Sequence, residues 1–381
     1  MIKKILREQS GYMGADFFLH LLLTKKIKHM KRKTFNRLLL AGAGIGVASC
    51  SVPLKVGEDK SNTINEPLKL KPKRLKAGDT IGLIAPGSAF SEEAYERTIE
   101  NIESLGLNYK NAQNLFKSYG YVAGTDKERI DDIHEMFADK EVDAIWCVRG
   151  GYGTTRIIEN LDYKLIKNNP KIIVGYSDIT ALLQAIHVST GLITFHGPVG
   201  ASELTPYTLE QFRKVLFENK EKLRIPIYKN EDSEDTAFIP SIIVKGKMRG
   251  ELIGGNLSLL SSLSGTKYNL NLKDKIVFIE DVGEKPYRID RMLTQLINST
   301  DISKSAGILL GIFNDCDVKP GTEGTLRLMD TLKDRLEPLG VPVFYGFSFG
   351  HIKNMCTLPV GIEAEFDMGN KELVLLENAV I

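Results

Sequence analysis

Short apolar runs alternate with amphipathic stretches along the chain from residue 80 onward. The run that begins at Thr80, the run that ends at Val148 and the run that ends at Gly175 each have the pattern of a buried strand. Between them, apolar residues recur with a helical period, as in the stretch from Asp126 to Asp139. Apolar strands that alternate with helices indicate a parallel sheet covered on both faces. The fold class predicted for this half is therefore α/β.

The pattern changes in the second half of the chain. Residues 203–240 have a weaker pattern with several prolines, which is typical of an interdomain linker. After it, apolar strands dominate, and the last stretch alternates like a hairpin around Met368-Gly369-Asn370. We predict an N-terminal α/β domain over residues 73–202 and a strand-rich, mixed α/β C-terminal domain over residues 241–381.

The first 50 residues have the pattern of a targeting segment. A basic stretch after Met30 leads into a short apolar run, residues 38–47, and then to Cys50. The run is too short to span a bilayer, so a cleaved signal peptide is expected, with residues 1–29 as an upstream extension. The sequence VASC resembles a lipoprotein lipobox, which implies lipidation of Cys50, whereas the alternative is an ordinary signal peptide. Residues 51–72 are polar and predict a flexible tether to a membrane outside the cytoplasm.

Charge and cysteine content narrow the function classes. The formal net charge is only +2, which gives no reason to expect nucleic-acid binding. The other cysteines, Cys147, Cys316 and Cys356, are odd in number and far apart, so we expect buried thiols rather than disulfides. Cysteine and histidine are not clustered at zinc-ligand spacing, and neither a metal nor an organic cofactor is expected.

A glycine-rich turn follows the second buried strand, in the sequence CVRGGYGTTR. Gly150, Gly151 and Gly153 provide room for a sharp strand-to-helix turn that presents a hydroxyl beside unpaired backbone N–H groups. Because ligands bind at the carboxyl ends of parallel strands, this turn, APGS and GYSD are expected near one site. A phosphate-binding turn is the alternative, since the same N–H groups suit phosphate.

Two further residues could complete a catalytic triad. Glu280 follows four apolar residues at the end of a strand, where a carboxylate needs an explanation, and His351 follows another strand. The order hydroxyl, carboxylate, histidine is one in which triads occur. On spacing alone, Glu280 could instead cap a helix and His351 could be structural.

Seven blocks of this sequence, in order, resemble the LD-carboxypeptidases, the family that includes muramoyl-tetrapeptide carboxypeptidase and the microcin C self-immunity peptidase. The blocks are GLIAPGS, RGGYGTTRII, VGYSDITALL, FHGPV, ELIGGNLSLLSSLSGT, KIVFIEDVGEKPYRIDRMLTQL and GHIKNMCTLPVG. The resemblance implies a Rossmann-like N-terminal domain, a strand-rich, β-barrel-like C-terminal domain, a Ser-Glu-His triad between them and a homodimer.

By this resemblance, Glu280 orients His351, which is the general base. We predict that the nucleophile is Thr154. The resemblance implies that well-studied members have serine at this position. Two alternatives stay open: His351 activates water directly, or the protein binds cell-wall peptides without turnover. The backbone N–H groups of Gly151 and Thr155 are the predicted oxyanion hole. The implied reaction is release of terminal D-alanine from a murein tetrapeptide, and the alternative substrate is a peptide-nucleotide antibiotic.

Four side chains are predicted to bind substrate: Arg149, Tyr152, Ser177 and His196. Arg149 could hold a terminal carboxylate in a bidentate contact. Ser177 is a rival hydroxyl at a strand end, although a turn or capping role is the simpler interpretation. His196 follows a strand and could line the same cleft, or form a hydrogen bond that holds its loop.

Overall fold

The computed structural model of the chain describes residues 68–228, 238–319 and 321–381. The predicted signal peptide, the lipidation at Cys50 and most of the tether lie outside the described residues. The described part contains two sheets joined by packed helices, which confirms the α/β class with a second, strand-rich part.

The first sheet consists of six strands in the order β12-β5-β4-β3-β1-β2. Strands β1 to β5 pair in parallel, and β12 returns from late in the chain to pair antiparallel with β5. These strands are β1 (Thr80–Ile84), β2 (Asn108–Asn111), β3 (Ala144–Cys147), β4 (Ile172–Gly175), β5 (Thr194–His196) and β12 (Leu358–Val360).

Both faces of this sheet are buried. In β3, Ala144 and Trp146 point into one hydrophobic cluster, whereas Ile145 and Cys147 point into another. This follows from the two-residue period of a strand, because alternate side chains lie on opposite faces. A continuous apolar run is therefore the sequence pattern of a strand covered on both sides.

Helices begin where the sequence provides capping side chains. Ser91 accepts a hydrogen bond from the N–H of Ala94, and Thr125 and Glu128 form a capping box. The α-helices are α1 (Glu92–Ser104), α2 (Asp126–Ala138), α3 (Tyr163–Asn168), α4 (Ile179–Thr190), α5 (Pro206–Phe217), α6 (Leu257–Leu263), α7 (Pro286–Ser299) and α8 (Leu328–Leu336).

The second sheet has eight strands in the order β6-β14-β13-β8-β9-β10-β11-β7. Strands β8 to β11 are parallel, and the strands on either side of them pair antiparallel. These strands are β6 (Leu223–Pro226), β7 (Ser241–Val244), β8 (Met248–Asn256), β9 (Ile276–Val282), β10 (Gly307–Asn314), β11 (Val343–Gly350), β13 (Glu363–Asp367) and β14 (Glu372–Leu375).

The segment 203–240 is more ordered than a simple linker. Its described part contains α5 and β6, and β6 pairs with β14 at one edge of the second sheet. A late part of the chain also returns to the first sheet, because β12 pairs with β5. The two sheets are tied further by α4, where the side-chain amide of Gln184 donates to the carbonyl of Gly254 and Thr180 Oγ1 accepts from the N–H of Asn256.

The remaining expectations concern cysteines, metals and membrane spans. Cys147, Cys316 and Cys356 are free and buried, and burial raises the pKa of each thiol. Within the described ranges, no cluster of histidine, cysteine and carboxylate side chains could hold a metal ion. No helix in those ranges is both long and apolar enough to cross a bilayer.

Candidate active site

A strained turn joins β4 to α4 in the first sheet. Ser177, the second residue after β4, has a backbone φ of +61°, a left-handed conformation that is uncommon for a residue with a side chain. The turn is possible because its neighbours are small: a Cβ on Gly175 would lie 2.7 Å from Ile179 Cγ2, and a Cβ on Gly150 would lie 3.1 Å from Ser177 Cβ. A strained serine between a strand and a helix is the geometry of a nucleophile elbow.

The predicted acid and imidazole meet in the second sheet. Glu280 is in β9 and His351 directly follows β11, and Nδ1 of His351 lies 2.8 Å from Oε2 of Glu280. The carboxylate is fully buried, whereas the histidine side chain is 19% exposed. Gly350, at φ +114°, allows this approach, because a Cβ there would lie 3.1 Å from the Glu280 side chain.

The turn that carries Ser177 lies next to the Glu280–His351 pair. The ring of Tyr176, the residue before Ser177, lies 4.8 Å from the His351 ring, measured between centroids. Both rings line a cavity of about 490 Å³, together with Ser202, Glu203 and Lys353. Burial raises the pKa of Tyr176 to about 12, so its hydroxyl stays protonated beside the carboxylate. The imidazole of His351 thus lines a cleft beside the turn of the half-buried Ser177, and the buried carboxylate of Glu280 contacts that imidazole.

The structure buries Thr154, the predicted nucleophile, away from solvent. The residue is fully buried in a short 3₁₀ helix, and its hydroxyl donates a 2.5 Å hydrogen bond to the carbonyl oxygen of Asp178. Its backbone N–H donates to Oδ2 of Asp178 at 2.9 Å. Both polar groups of Thr154 therefore hold the glycine-rich turn against the elbow, and substrate cannot reach the hydroxyl without disrupting this contact.

The glycine-rich turn is held from its other side by Arg129 of α2. This arginine is 1% exposed, and it donates to the carbonyl oxygens of Pro86 and Gly153, the latter at 3.0 Å. It also pairs with Asp126 at 2.6 Å. Two loops at the carboxyl ends of β1 and β3 are thus fixed by one buried guanidinium, which can donate several hydrogen bonds in fixed directions.

Asp178 connects the two turns and is itself largely buried. Burial raises the pKa of its carboxyl group, an effect opposed by the hydrogen bonds that it accepts from Thr154 and Gly153. Its own N–H donates to no described residue, and the N–H of Gly151 is likewise without an acceptor among the described residues. The N–H of Asp178 is therefore a further candidate to bind an oxyanion at the elbow, besides the predicted N–H of Thr155. Gly151 stays a candidate for the second donor.

Two predicted substrate-binding residues lie at the outer edge of the glycine-rich turn. Arg149 is exposed and donates to the carbonyl of Ala89 at 3.0 Å. Tyr152 is 52% exposed and packs edge-to-face against Tyr121, with ring centroids 5.4 Å apart. Thr155 lies in the short 3₁₀ helix beyond Thr154. Both the arginine and the tyrosine are therefore accessible from solvent.

The structure places His196, which the sequence predicts to bind substrate, in the protein interior. Its ring is fully buried behind Tyr176, and neither ring nitrogen has a hydrogen-bond partner among the described residues. Burial lowers the pKa of His196 to about 4, so the ring is neutral at pH 7.

Sequence reasoning did not assign the site's organising residues, Asp178, Arg129 and Tyr176. Asp178 directly precedes α4, where an aspartate is common, and Arg129 belongs to an amphipathic helix on which most charges are exposed. The local sequence draws attention instead to Ser177, the serine of GYSD, because it lies between a strand that ends in glycine and a helix.

Comparison with known proteins identifies related chains over most of the described part. The family model described as the LD-carboxypeptidase N-terminal domain matches residues 81–197, and the C-terminal domain model matches residues 249–366. A probable murein peptide carboxypeptidase of Bacillus subtilis is 42% identical over 313 residues, which is 81% of this chain and 95% of the relative. The murein tetrapeptide carboxypeptidase of Pseudomonas aeruginosa is 33% identical, covering 76% of this chain and 94% of the relative.

A solved structure with a similar fold is that of the microcin C7 self-immunity protein MccF. An active-site mutant of MccF, with a serine, an asparagine and a lysine each replaced by alanine, superposes with a TM-score of 0.74 at 28% identity. The match covers 82% of this chain and 100% of the MccF chain.

Proposed function

The chain belongs to the LD-carboxypeptidase family and is a peptidase, and we propose that it releases terminal D-alanine from murein tetrapeptides with Ser177 as nucleophile. The observation that carries this proposal is the hydrogen-bonded Glu280–His351 pair beside a turn in which a serine has a positive φ. The replaced active-site serine of MccF supports a serine mechanism in a related protein.

The tautomer of His351 follows from its contact with Glu280. A carboxylate is an acceptor, so Nδ1 of His351 carries the proton and Nε2 is left with a free lone pair. In the proposed reaction Nε2 removes the proton of Ser177 as Oγ attacks the carbonyl carbon of the scissile bond. The buried Glu280 then stabilises the imidazolium that forms.

The remaining steps use the backbone at the elbow. The N–H of Asp178, with the N–H of Gly151 as the proposed second donor, stabilises the negative oxygen of the tetrahedral intermediate. D-Alanine leaves with the proton from His351, which gives a Ser177 acyl-enzyme. His351 then deprotonates a water molecule that cleaves the ester and restores the serine. This sequence requires no metal or organic cofactor.

Substrate binding is proposed at the rim of the cleft. Arg149 is exposed beside the glycine-rich turn and can pair with the terminal carboxylate, while Tyr152 can pack against the peptide. Across the cleft, Lys353 and Glu203 form a 3.2 Å ion pair with both side chains more than half exposed. Charged groups that remain accessible to water can exchange their partners for those of a peptide at little cost.

The test is release of D-alanine from a purified murein tetrapeptide, measured for the wild type, Ser177→Ala and Thr154→Ala. We expect release by the wild type and by Thr154→Ala, and none above background by Ser177→Ala. If the wild type releases no D-alanine, the hydrolase proposal fails and a non-catalytic peptide-binding protein is favoured. If only Thr154→Ala is inactive, Thr154 is the nucleophile despite its burial.

A peptidase that acts on a peptide-nucleotide antibiotic is the second candidate. MccF has also been solved in complex with glutamyl sulfamoyl guanosine, and that structure superposes on this chain with a TM-score of 0.73. Trp146 cannot serve as a platform for a base, since it is 1% exposed and stacks on Phe212. The exposed rings of Tyr121 and Tyr152 are the aromatic groups nearest the glycine-rich turn that could do so. Hydrolysis of an aminoacyl sulfamoyl nucleoside in preference to the tetrapeptide would favour this candidate.

We also propose that the protein is anchored outside the cytoplasm by lipid on Cys50 and acts as a homodimer. The support is the basic and apolar sequence that precedes Cys50, together with the family resemblance for the dimer. Metabolic labelling with a fatty acid should mark the wild type and not Cys50→Ser. Light scattering of the soluble part should give twice the monomer mass, and a monomer mass would contradict the dimer.

A further inference from the structure

Two buried polar groups near the site have no hydrogen-bond partner among the described residues. One is the ring of His196, fully buried at the end of β5 with both nitrogens unpaired. The other is Oε1 of Glu280, the carboxylate oxygen that does not contact His351. A buried polar atom without a partner is costly, so each of these groups requires one.

The two groups lie in the same layer between the sheets. The His196 ring is 5.4 Å from the Phe278 ring, and Phe278 and Glu280 lie two residues apart on β9 and so share a face. The Tyr176 ring contacts both histidines, with centroids 6.1 Å from His196 and 4.8 Å from His351. The negative charge of Glu280 also acts on His196, although burial has the larger effect on that ring.

We propose that His196 is a positioning residue whose ring N–H donates, through one buried water molecule, to Oε1 of Glu280. The water would have the ring N–H of His196 and the carboxylate of Glu280 as partners, and buried water is typically found bound to polar groups that otherwise have no partner. Glu280 is then held at both oxygens, by His351 at Oε2 and by the water at Oε1. The kinetic part of this inference rests on the proposed function, but its structural part does not.

The proposal has a consequence for the protonation of His351. A donor at Oε1 stabilises the negative charge of Glu280, so without it the Glu280–His351 pair holds a proton more tightly. Besides His196 and this pair, the titratable groups of the described part that interact electrostatically with Glu280 are Tyr176, Asp281 and Cys316. Asp281 accepts hydrogen bonds from Asn256 and Ser258, and substitution at His196 removes neither donor.

The kinetic experiment compares the pH dependence of D-alanine release in three variants. In His196→Phe, which keeps the ring packing but has no N–H, the acidic limb should move to higher pH by about one unit. His196→Asn and His196→Gln place amide donors near the positions of Nδ1 and Nε2, and at least one should keep the wild-type limb. An unchanged limb in folded His196→Phe, or equal shifts in all three variants, overturns the proposal.

Histidine ring NMR provides a readout that does not need activity. The His351 resonance, assigned by its loss in His351→Gln, should titrate at higher pH in His196→Phe than in the wild type. In the wild type, His196 should stay neutral as the pH is lowered to 5. The substitution Glu280→Gln should shift the resonance of the His196 ring N–H. A His196 ring that titrates near pH 6.5, or one unaffected by Glu280→Gln, overturns the proposal even if His196→Phe does not fold or no substrate is cleaved.

Discussion

Two strand-to-helix turns lie side by side in the first sheet, and they differ in what they do. The turn after β3 contains Gly150, Gly151 and Gly153 followed by two threonines, whereas the turn after β4 has a serine at positive φ. The first has the richer sequence pattern. Its threonine is nevertheless buried against Asp178. The second turn instead contacts His351 through Tyr176, and its serine is half-buried.

The difference shows what glycines at such a turn provide. A Cβ on Gly150 would approach Ser177 to 3.1 Å, and a Cβ on Gly151 would lie 2.5 Å from Ser88 Cβ. Gly150 therefore lets the first turn pack closely against the second, and Gly151 lets it pack against the loop after β1. In this account the glycines shape the site, and the neighbouring turn carries the proposed nucleophile.

The largest effect is expected at the elbow. Ser177→Ala should lower the rate of D-alanine release by about 10⁴- to 10⁶-fold, because it removes the nucleophile of a triad that acts as a unit. The matched control is Ser104→Ala, an exposed serine in α1 whose loss should leave the rate unchanged. Near-wild-type turnover by Ser177→Ala would contradict the proposal that the turn after β4 carries the nucleophile.

Closing the space at the glycine-rich turn should have the next largest effect. In Gly151→Ala, the new methyl group meets Ser88 and strains a backbone at φ +98°, so the proposed oxyanion donor is displaced and kcat should fall by about 10²-fold. Gly78→Ala is the control, since Gly78 has a φ of +84° with no atom within 4 Å of its Cβ position. Equal losses of kcat in both variants would mean that strain alone, and not the turn's position, is being measured.

Substitutions of Thr154 should affect stability more than chemistry. Thr154→Val keeps the shape but removes the hydroxyl donor to the carbonyl of Asp178, which keeps the N–H of Ala181 at 3.3 Å, and should cost about 1–2 kcal/mol of unfolding free energy. Thr154→Ser retains the hydroxyl and should keep the wild-type rate. Denaturant unfolding and D-alanine release measured on the same preparations separate the two effects. A large gain in rate for Thr154→Ser would instead restore Thr154 as the attacking group.

The smallest effect is expected from the carboxylate that joins the turns. The folded-state pKa of Asp178 is raised above 3.8, so the folded protein binds more protons than the unfolded chain between these two values. The contribution of Asp178 to stability therefore falls as pH rises through the folded pKa. Asp178→Asn cannot ionise, and its melting temperature relative to the wild type should increase with pH over that interval. A constant difference from pH 3.5 to 7 would contradict the assigned shift.

Much of the fold could be predicted from the sequence because its central strands are buried on both faces. The apolar runs of β1, β3, β4 and β9 are visible in the sequence, and so is the hairpin of β13 and β14. Strand β2 was not recognised, since it is an exposed edge strand made of polar residues. Glu280 and His351 were found because a carboxylate after four apolar residues stands out, and the structure brings them within 2.8 Å.

The nucleophile could not be predicted in the same way. Positive φ at Ser177 is a property of backbone geometry that local composition does not reveal, whereas three glycines in five residues are conspicuous. The burial of Thr154 depends on Asp178, which is 24 residues away in sequence. The burial of His196 likewise depends on contacts from β4, β9 and β11, which only the folded chain brings together.

The central claim is that Ser177, and not Thr154, is the residue that attacks the substrate. Labelling the protein with a serine-reactive phosphonate that carries a C-terminal D-alanine, followed by peptide mapping with mass spectrometry, tests this directly. We expect one adduct on the peptide that contains Ser177, and no labelling in Ser177→Ala or His351→Gln. An adduct on Thr154, or labelling that persists in Ser177→Ala, would contradict the account.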